Sequence, residues 1–318
     1  MMAFKISIVG AGNVGATLAL MLAQHEMCNT VVMIDVIQDM PKGKALDMMQ
    51  MLSLYGSDVK VIGSNSYDAL ENSDMVIVTA GVARKPSMSR EDLLTTNASI
   101  VKEVSENISR YCSPETIVIV VSNPLDVMTY LTYKILSSRG WAREKIMGMA
   151  GVLDTARFKY FISQKINVSN ENIEALVLGS HGDTMVPIIS HTTVGGIPLR
   201  RLLKQEEIDY LVEKTRNGGA EIVSLLKTGS AYYAPAASTL TMIKSILFDK
   251  KQILPVSVYC KGEYGYNDLV IGLPVVLSRN GIDKIVEIQL DDNEKQQLDK
   301  SAQKIEALCK ELYTLNLV

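Results

Sequence analysis

Histidine, cysteine and tryptophan are scarce in this chain of 318 residues, which holds three, four and one of them respectively. The cysteines, Cys28, Cys112, Cys260 and Cys309, lie far apart and make no C-x-x-C pair. That spacing offers neither a metal site nor a disulfide framework, and it fits a reducing compartment. No apolar run is long enough to span a membrane. Positive charge is not in excess: the net charge is -3, which argues against nucleic acid or an anionic membrane as the main partner. A strand begins near Ile6, so there is no room for a signal peptide ahead of it, and a cytoplasmic protein is expected. Repeats and low-complexity segments are also missing. Any histidine chemistry is confined to His25, His181 and His191.

What is present is ordinary globular composition, 47% hydrophobic and 21% charged, arranged in two styles. In the first half, short apolar runs at 6–9, 31–34, 59–62, 75–79, 117–121 and 146–149 alternate with helical patterns at 13–25, 41–54, 91–110 and 125–138. Such alternation predicts an α/β fold with an N-terminal doubly wound parallel sheet of the Rossmann kind. The second half predicts a C-terminal α+β catalytic domain. It has a helix at about 153–166, an apolar strand from Ile173 to Leu178 and a glycine-flanked turn, followed by another strand near 185–190. Helices follow at about 206–227 and 234–248, then an antiparallel meander over 252–260, 270–277 and 283–288. A last helix opens on a capping box of Asp291 and Glu294. The expected division is 1–148 and 149–318. The helix at 41–54 is apolar nearly all round, through Ala45, Leu46, Met48, Met49, Met51, Leu52 and Leu54. It therefore needs cover on more than one side, and a subunit interface is expected there.

Gly10-Ala11-Gly12-Asn13-Val14-Gly15 is a G-x-G-x-x-G run. Alone it could mark only a tight turn, but it follows a strand directly and opens an amphipathic helix. In that context Gly10 allows the turn and Gly12 admits a pyrophosphate against the backbone. Gly15 lets the helix sit close to the sheet, while the helix N-terminus faces the phosphates. Asp35 follows the second strand, 20 positions after Gly15. Its carboxylate can accept from ribose hydroxyls and would repel a 2′-phosphate, so NAD is predicted over NADP. Val36 and Ile37 supply no cation for such a phosphate. A mere capping role for Asp35 is the alternative.

Four further segments carry a resemblance. Thr79-Ala80-Gly81-Val82-Ala83-Arg84-Lys85-Pro86-Ser87-Met88-Ser89-Arg90 resembles the active-site loop of the lactate and malate dehydrogenase family. Val121-Ser122-Asn123-Pro124-Leu125-Asp126, Leu153-Asp154-Thr155-Ala156-Arg157 and Gly179-Ser180-His181-Gly182-Asp183 are similar to that family's other motifs, in its order and at about its spacing. On residue chemistry alone, Asp154 and Arg157 share a helix face and read as a surface ion pair. His181 alone would read as a turn histidine, and Arg84 and Arg90 as a solvated basic loop.

The resemblance implies more. It makes His181 the catalytic acid and base, held by Asp154, with Arg157 receiving the substrate carboxylate and Arg90 polarising the carbonyl. It implies that Asn123 contacts substrate and nicotinamide ribose, that Val121, Ser122 and Asn123 line the nicotinamide pocket, and that Asn97 contacts the cofactor. A cis Asn123-Pro124 bond is a family feature, and Gly229 to Ala237 is by analogy a wall of the site with no assigned chemistry. Arg84 bears on the substrate, because malate-selective members carry arginine there and lactate-selective ones an uncharged residue. A dicarboxylate, malate or oxaloacetate, is therefore implied, with lactate or broader 2-hydroxy acid specificity as the alternative. Ser87 departs from the glycine frequent in malate-type loops. The resemblance also leans toward a homotetramer, with a dimer as the other possibility, and neither it nor the residues imply a metal. A non-catalytic NAD-sensing module is the rival of another class, but it would not need His181, Asp154, Arg90 and Arg157 together.

Overall fold

The computed structural model describes residues 4–82, 90–315 and 317, and the side chain of Arg90 is outside that description. The first half builds the predicted sheet. Strands β1 (Lys5–Val9), β2 (Thr30–Ile34), β3 (Lys60–Ser64), β4 (Met75–Val78), β5 (Ile117–Val120) and β6 (Ile146–Gly148) are parallel, in the order β3-β2-β1-β4-β5-β6. The crossovers include helices α1 (Asn13–Gln24), α2 (Met40–Tyr55), α3 (Arg90–Tyr111) and α4 (Leu125–Ser137). Every residue of β4 and β5 is buried, as expected where helices cover both faces of a parallel sheet and the strands read as unbroken apolar runs.

The second half opens with α5 (Gly151–Ile166). The segment read as one strand from Ile173 to Leu178 is two, β7 (Ile173–Glu174) and β8 (Val177–Leu178). β8 pairs with β9 (Val186–Pro187), whereas β7 pairs with β10 (Thr193–Val194), which also pairs with β11 (Ile197–Pro198). The chain crosses between two small sheets at Ala175 and Leu176, a step that apolar patterning cannot signal. Helices α6 (Leu199–Leu202), α7 (Gln205–Leu226) and α8 (Tyr233–Leu247) follow.

The predicted meander is β12 (Gln252–Lys261), β13 (Asn267–Ser278) and β14 (Gly281–Ile285). It does not stand apart. Ser257 of β12 pairs antiparallel with Gly148 of β6, so the meander extends the first sheet to nine strands. Helix α9 (Asp292–Thr314) closes the fold, and its capping box forms as expected. Asp291 accepts from Glu294 N at 2.9 Å, and Glu294 accepts from Asp291 N at 3.1 Å.

Within one chain α2 buries only Pro41, Ala45 and Leu52, while Leu46 and Leu54 are 62% and 86% exposed. No helix among the described residues is long and apolar enough to cross a membrane.

Candidate active site

The glycine turn at the C-terminal end of β1 is set by two constraints. Gly10 sits at φ 106°, a left-handed conformation that L side chains avoid. A Cβ on Gly15 would stand 1.9 Å from the Gly10 carbonyl oxygen, so only glycine lets α1 begin this close to the turn. Around Gly12 a Cβ would meet nothing within 4 Å, which leaves open space before the helix N-terminus, and no acidic residue occupies its first turn.

Asp35 lies at the same turn. One of its oxygens accepts from Ala11 N at 2.7 Å and the other from Ile37 N at 3.0 Å. It does cap the strand end, yet a carboxylate has about four acceptor positions and two are used. Lys44 of α2 donates to the Ala11 carbonyl at 2.6 Å, a contact that sequence reading did not anticipate.

Two clefts meet here. One, of about 370 Å³, is walled by Asp35 and the apolar side chains of Val36, Ile37, Met40 and Ile100. The other, of about 390 Å³, runs past Gly12 to Gly15, Asn97, Val121, Ser122 and Asn123 to His181. They share Gly12 and the stretch Thr79 to Val82. An apolar slot beside a carboxylate, an open helix N-terminus, and a second chamber ending at a histidine suit the adenosine, pyrophosphate and nicotinamide ends of NAD.

Around the second chamber, Ser122 Oγ donates to the Ala80 carbonyl at 2.6 Å. The buried Asn97 spends its amide on main chain. It accepts from Val82 N at 2.8 Å and donates to the Asn123 carbonyl at 2.7 Å. It thereby ties together the two loops that edge the chamber. Asn123 itself is exposed and its bond to Pro124 is cis. Tyr232, in the wall formed by Gly229 to Pro235, brings a phenol to a segment given no chemistry from sequence.

His181 is held at each step of its loop. Gly179 pairs with Gly272 of β13, and Ser180 N donates to Ser301 Oγ of α9 at 2.8 Å. His181 N donates to Asp126 Oδ2 at 2.9 Å, and its ring Nδ1 meets Asp154 Oδ2 at 2.8 Å. A carboxylate at Nδ1 fixes the tautomer and leaves Nε2 to exchange protons. Burial opposes the imidazolium. The charge of Asp154 and its hydrogen bond raise the His181 pKa above its usual value nonetheless, with Arg157 pulling down and Asp126 pushing up.

The Asp154–Arg157 pair is not the surface bridge that spacing alone suggests. The Asp154 side chain is 2% exposed, and Arg157 Nη1 reaches its Oδ1 at 3.2 Å. One carboxylate thus serves both His181 and Arg157. Arg157 Nε is buried with no partner among the described residues, and Gly218 and Gly219 of α7 leave room beside the guanidinium. Arg84 lies outside the described residues. Arg90 begins α3, close in sequence to the chamber residue Leu93. Of the other histidines, His25 caps α1 and His191 binds the Gln289 carbonyl at 2.7 Å.

Fold and cleft together are those of an NAD-dependent oxidoreductase. Residues 4–148 match the lactate/malate dehydrogenase NAD binding domain, and residues 151–314 match the family's alpha/beta C-terminal domain. The malate dehydrogenase of Chlorobium limicola is 52% identical over 308 residues, which are 97% of this chain and 98% of that one. The crystal structure of Cryptosporidium parvum malate dehydrogenase superposes with a TM-score of 0.94 at 45% identity, over 98% of this chain and all of the other (100%). The lactate dehydrogenase of Cryptosporidium parvum, solved with lactic acid and β-nicotinamide adenine dinucleotide, gives 0.93 at 38% identity, over 98% of each chain. The chain belongs to the lactate/malate dehydrogenase family.

Proposed function

We propose that the protein interconverts malate and oxaloacetate, with His181 as general acid and base. The observation that carries this reading is the buried Asp154 carboxylate shared by His181 Nδ1 and Arg157. It sets a proton-exchanging group beside a cation with unused donors, as a 2-hydroxy acid requires. Gly10, Ala11, Gly12, Asn13, Val14 and Gly15 would hold the pyrophosphate of NAD and Asp35 its ribose. Val121, Ser122 and Asn123 would line the nicotinamide end, with Asn97 beside them. Bound there, NAD supplies the hydride acceptor and NADH the donor.

The chain's own residues do the rest. In oxidation, neutral His181 takes the hydroxyl proton at Nε2; in reduction, its imidazolium returns one to the carbonyl oxygen. Asp154 stabilises that imidazolium and holds the ring. The planar guanidinium of Arg157 suits a two-bond grip on the carboxylate next to the reacting carbon. Arg90 stabilises the developing oxyanion, Asn123 contacts the substrate, and Arg84 pairs with the second carboxylate. Pyruvate brings no second carboxylate for Arg84, and a cation left unpaired in a closed site carries a penalty of about 3–5 kcal/mol. Spectrophotometry of NADH oxidation with oxaloacetate and with pyruvate tests the proposal. A preference of a hundredfold or more for oxaloacetate is expected, and comparable rates would refute it.

The working division is an NAD-binding unit at 1–148 and a catalytic unit at 149–318. Exposed Leu46, Leu54 and Tyr55 on α2 support a homo-oligomer, a tetramer being favoured over a dimer, and a monomer by light scattering would refute this. The four free thiols support a cytoplasmic location.

A further inference from the structure

Asp126 stands in the first turn of α4, in a helix whose first nine residues are all buried, and is itself 5% exposed. Burying a carboxylate is costly unless something uses the charge. Among the described residues no lysine or arginine forms an ion pair with it. Among the described residues it accepts two hydrogen bonds. Oδ1 accepts from Ser257 Oγ of β12 at 2.5 Å, and Oδ2 accepts from the main-chain N–H of His181 at 2.9 Å. Holding that N–H needs only a neutral acceptor, which asparagine would supply. The charge itself therefore calls for another explanation, and among the described residues the titratable group acting on it that becomes positive is the His181 imidazole.

We propose that Asp126 is a positioning residue for His181, a second buried carboxylate that fixes the histidine's main chain and supplies negative charge that favours its protonated ring. This rests on the reading of His181 as the acid and base. The groups facing the pair come from several elements. Asp154 and Arg157 lie on α5, Ser257 on β12, and Cys309 on α9, its thiol pushed up by burial. Two carboxylates then stand against one guanidinium and one imidazole, so this cluster is neutral when His181 carries its proton. Without the Asp126 charge, protonation would leave it with a net positive charge inside the protein. Burial pushes the Asp126 carboxyl up to about 6, against the pull of Ser257 and His181, so its support of the imidazolium is present near neutrality and fades in acid.

The test is Asp126→Asn in the full-length protein, read in two ways. Labelled histidine Cε1 resonances give the titration of His181 directly, and with three histidines in the chain the spectrum is simple. The pH profile of kcat/KM for oxaloacetate reduction gives the same group during turnover. The variant should bind the His181 proton about three- to tenfold more weakly, with its midpoint and the alkaline limb of the profile both moved to lower pH. A His181 midpoint that coincides with the wild type, whatever happens to stability, overturns the proposal. A midpoint that moves while the limb stays supports Asp126 and instead refutes His181 as the acid and base. Should Asp126→Asn fail to fold, Ser257→Ala weakens the anion and keeps the carboxyl. It should move the His181 midpoint in the same direction by about threefold or less, and no movement overturns the proposal.

Discussion

Replacing Arg157 with glutamine separates two consequences of one buried cation. The Arg157 side chain is 15% exposed, gives one hydrogen bond to Asp154 at 3.2 Å and has no partner for Nε among the described residues. Glutamine removes the charge and the fork, so a bound carboxylate would sit in a buried site without its counter-charge. Leaving one member of such a pair alone costs about 3–5 kcal/mol. At about 1.4 kcal/mol per decade, kcat/KM for oxaloacetate should fall by roughly two to three and a half decades. NADH affinity, read by fluorescence quenching, should change little, because Arg157 is remote in the chain from the glycine turn and does not line the dinucleotide clefts.

The second consequence has a definite sign. The Arg157 charge lowers the His181 pKa, so the variant's alkaline limb should move to higher pH, opposite to Asp126→Asn. Stability follows the same logic. The folded-state pKa of His181 is raised, so its contribution is full below the unfolded value of about 6.5 and is lost as pH rises through the folded value. In Arg157→Gln the folded value rises while the unfolded one stays, so that loss should begin at the same pH and extend to higher pH. A KM for oxaloacetate within threefold of wild type, or a limb displaced downward, would refute the assignment of Arg157.

Three other outcomes are expected. His181→Ala should bind NADH almost normally and lose turnover, and an active variant would remove His181 from the chemistry. Arg84→Gln, a change outside the described residues, should raise the pyruvate-to-oxaloacetate ratio of kcat/KM by about a hundredfold or more if it relieves a 3–5 kcal/mol penalty; an unchanged ratio would count against that pairing. Gly15→Ala forces a Cβ to within 1.9 Å of the Gly10 carbonyl oxygen. It should cost about 1–3 kcal/mol in stability and weaken NADH binding, and an unchanged melting temperature would show that the turn can yield.

The parallel sheet was legible because its strands are continuous apolar runs, and because right-handed crossovers leave few strand orders open. The glycine turn and Asp35 were legible for a similar reason, since strand, turn and helix are contiguous in the chain. What sequence could not carry is pairing at long range. Ser257 and Gly148 are over a hundred residues apart, and their bridge joins the meander to the first sheet. The break between β7 and β8 depends on which partners wait on either side. The all-round apolar α2 was legible as a surface needing cover, and Leu54 remains 86% exposed in one chain. The Asp154–Arg157 spacing looked like a surface pair because burial is not written in an i, i+3 interval. Asp126 was legible as the end of a family-like segment but given no role, although a signal existed: a lone carboxylate in Leu125 to Tyr133, among residues otherwise able to be buried, has to be using its charge on something.

That aspartate also alters what a division at residue 148 means. His181, Asp154 and Arg157 belong to the second half, but the His181 main chain is held by a side chain from α4 of the first. The same carboxylate is held by Ser257, on the strand through which the second half joins the first sheet. Acid–base geometry therefore depends on the junction between the halves as well as on either half's own core. A change at that junction, far from substrate, should register in the protonation of His181 before it registers in the binding of NADH, because the hydrogen bonds that hold Asp35 and Ala11 of the glycine turn come from the first half.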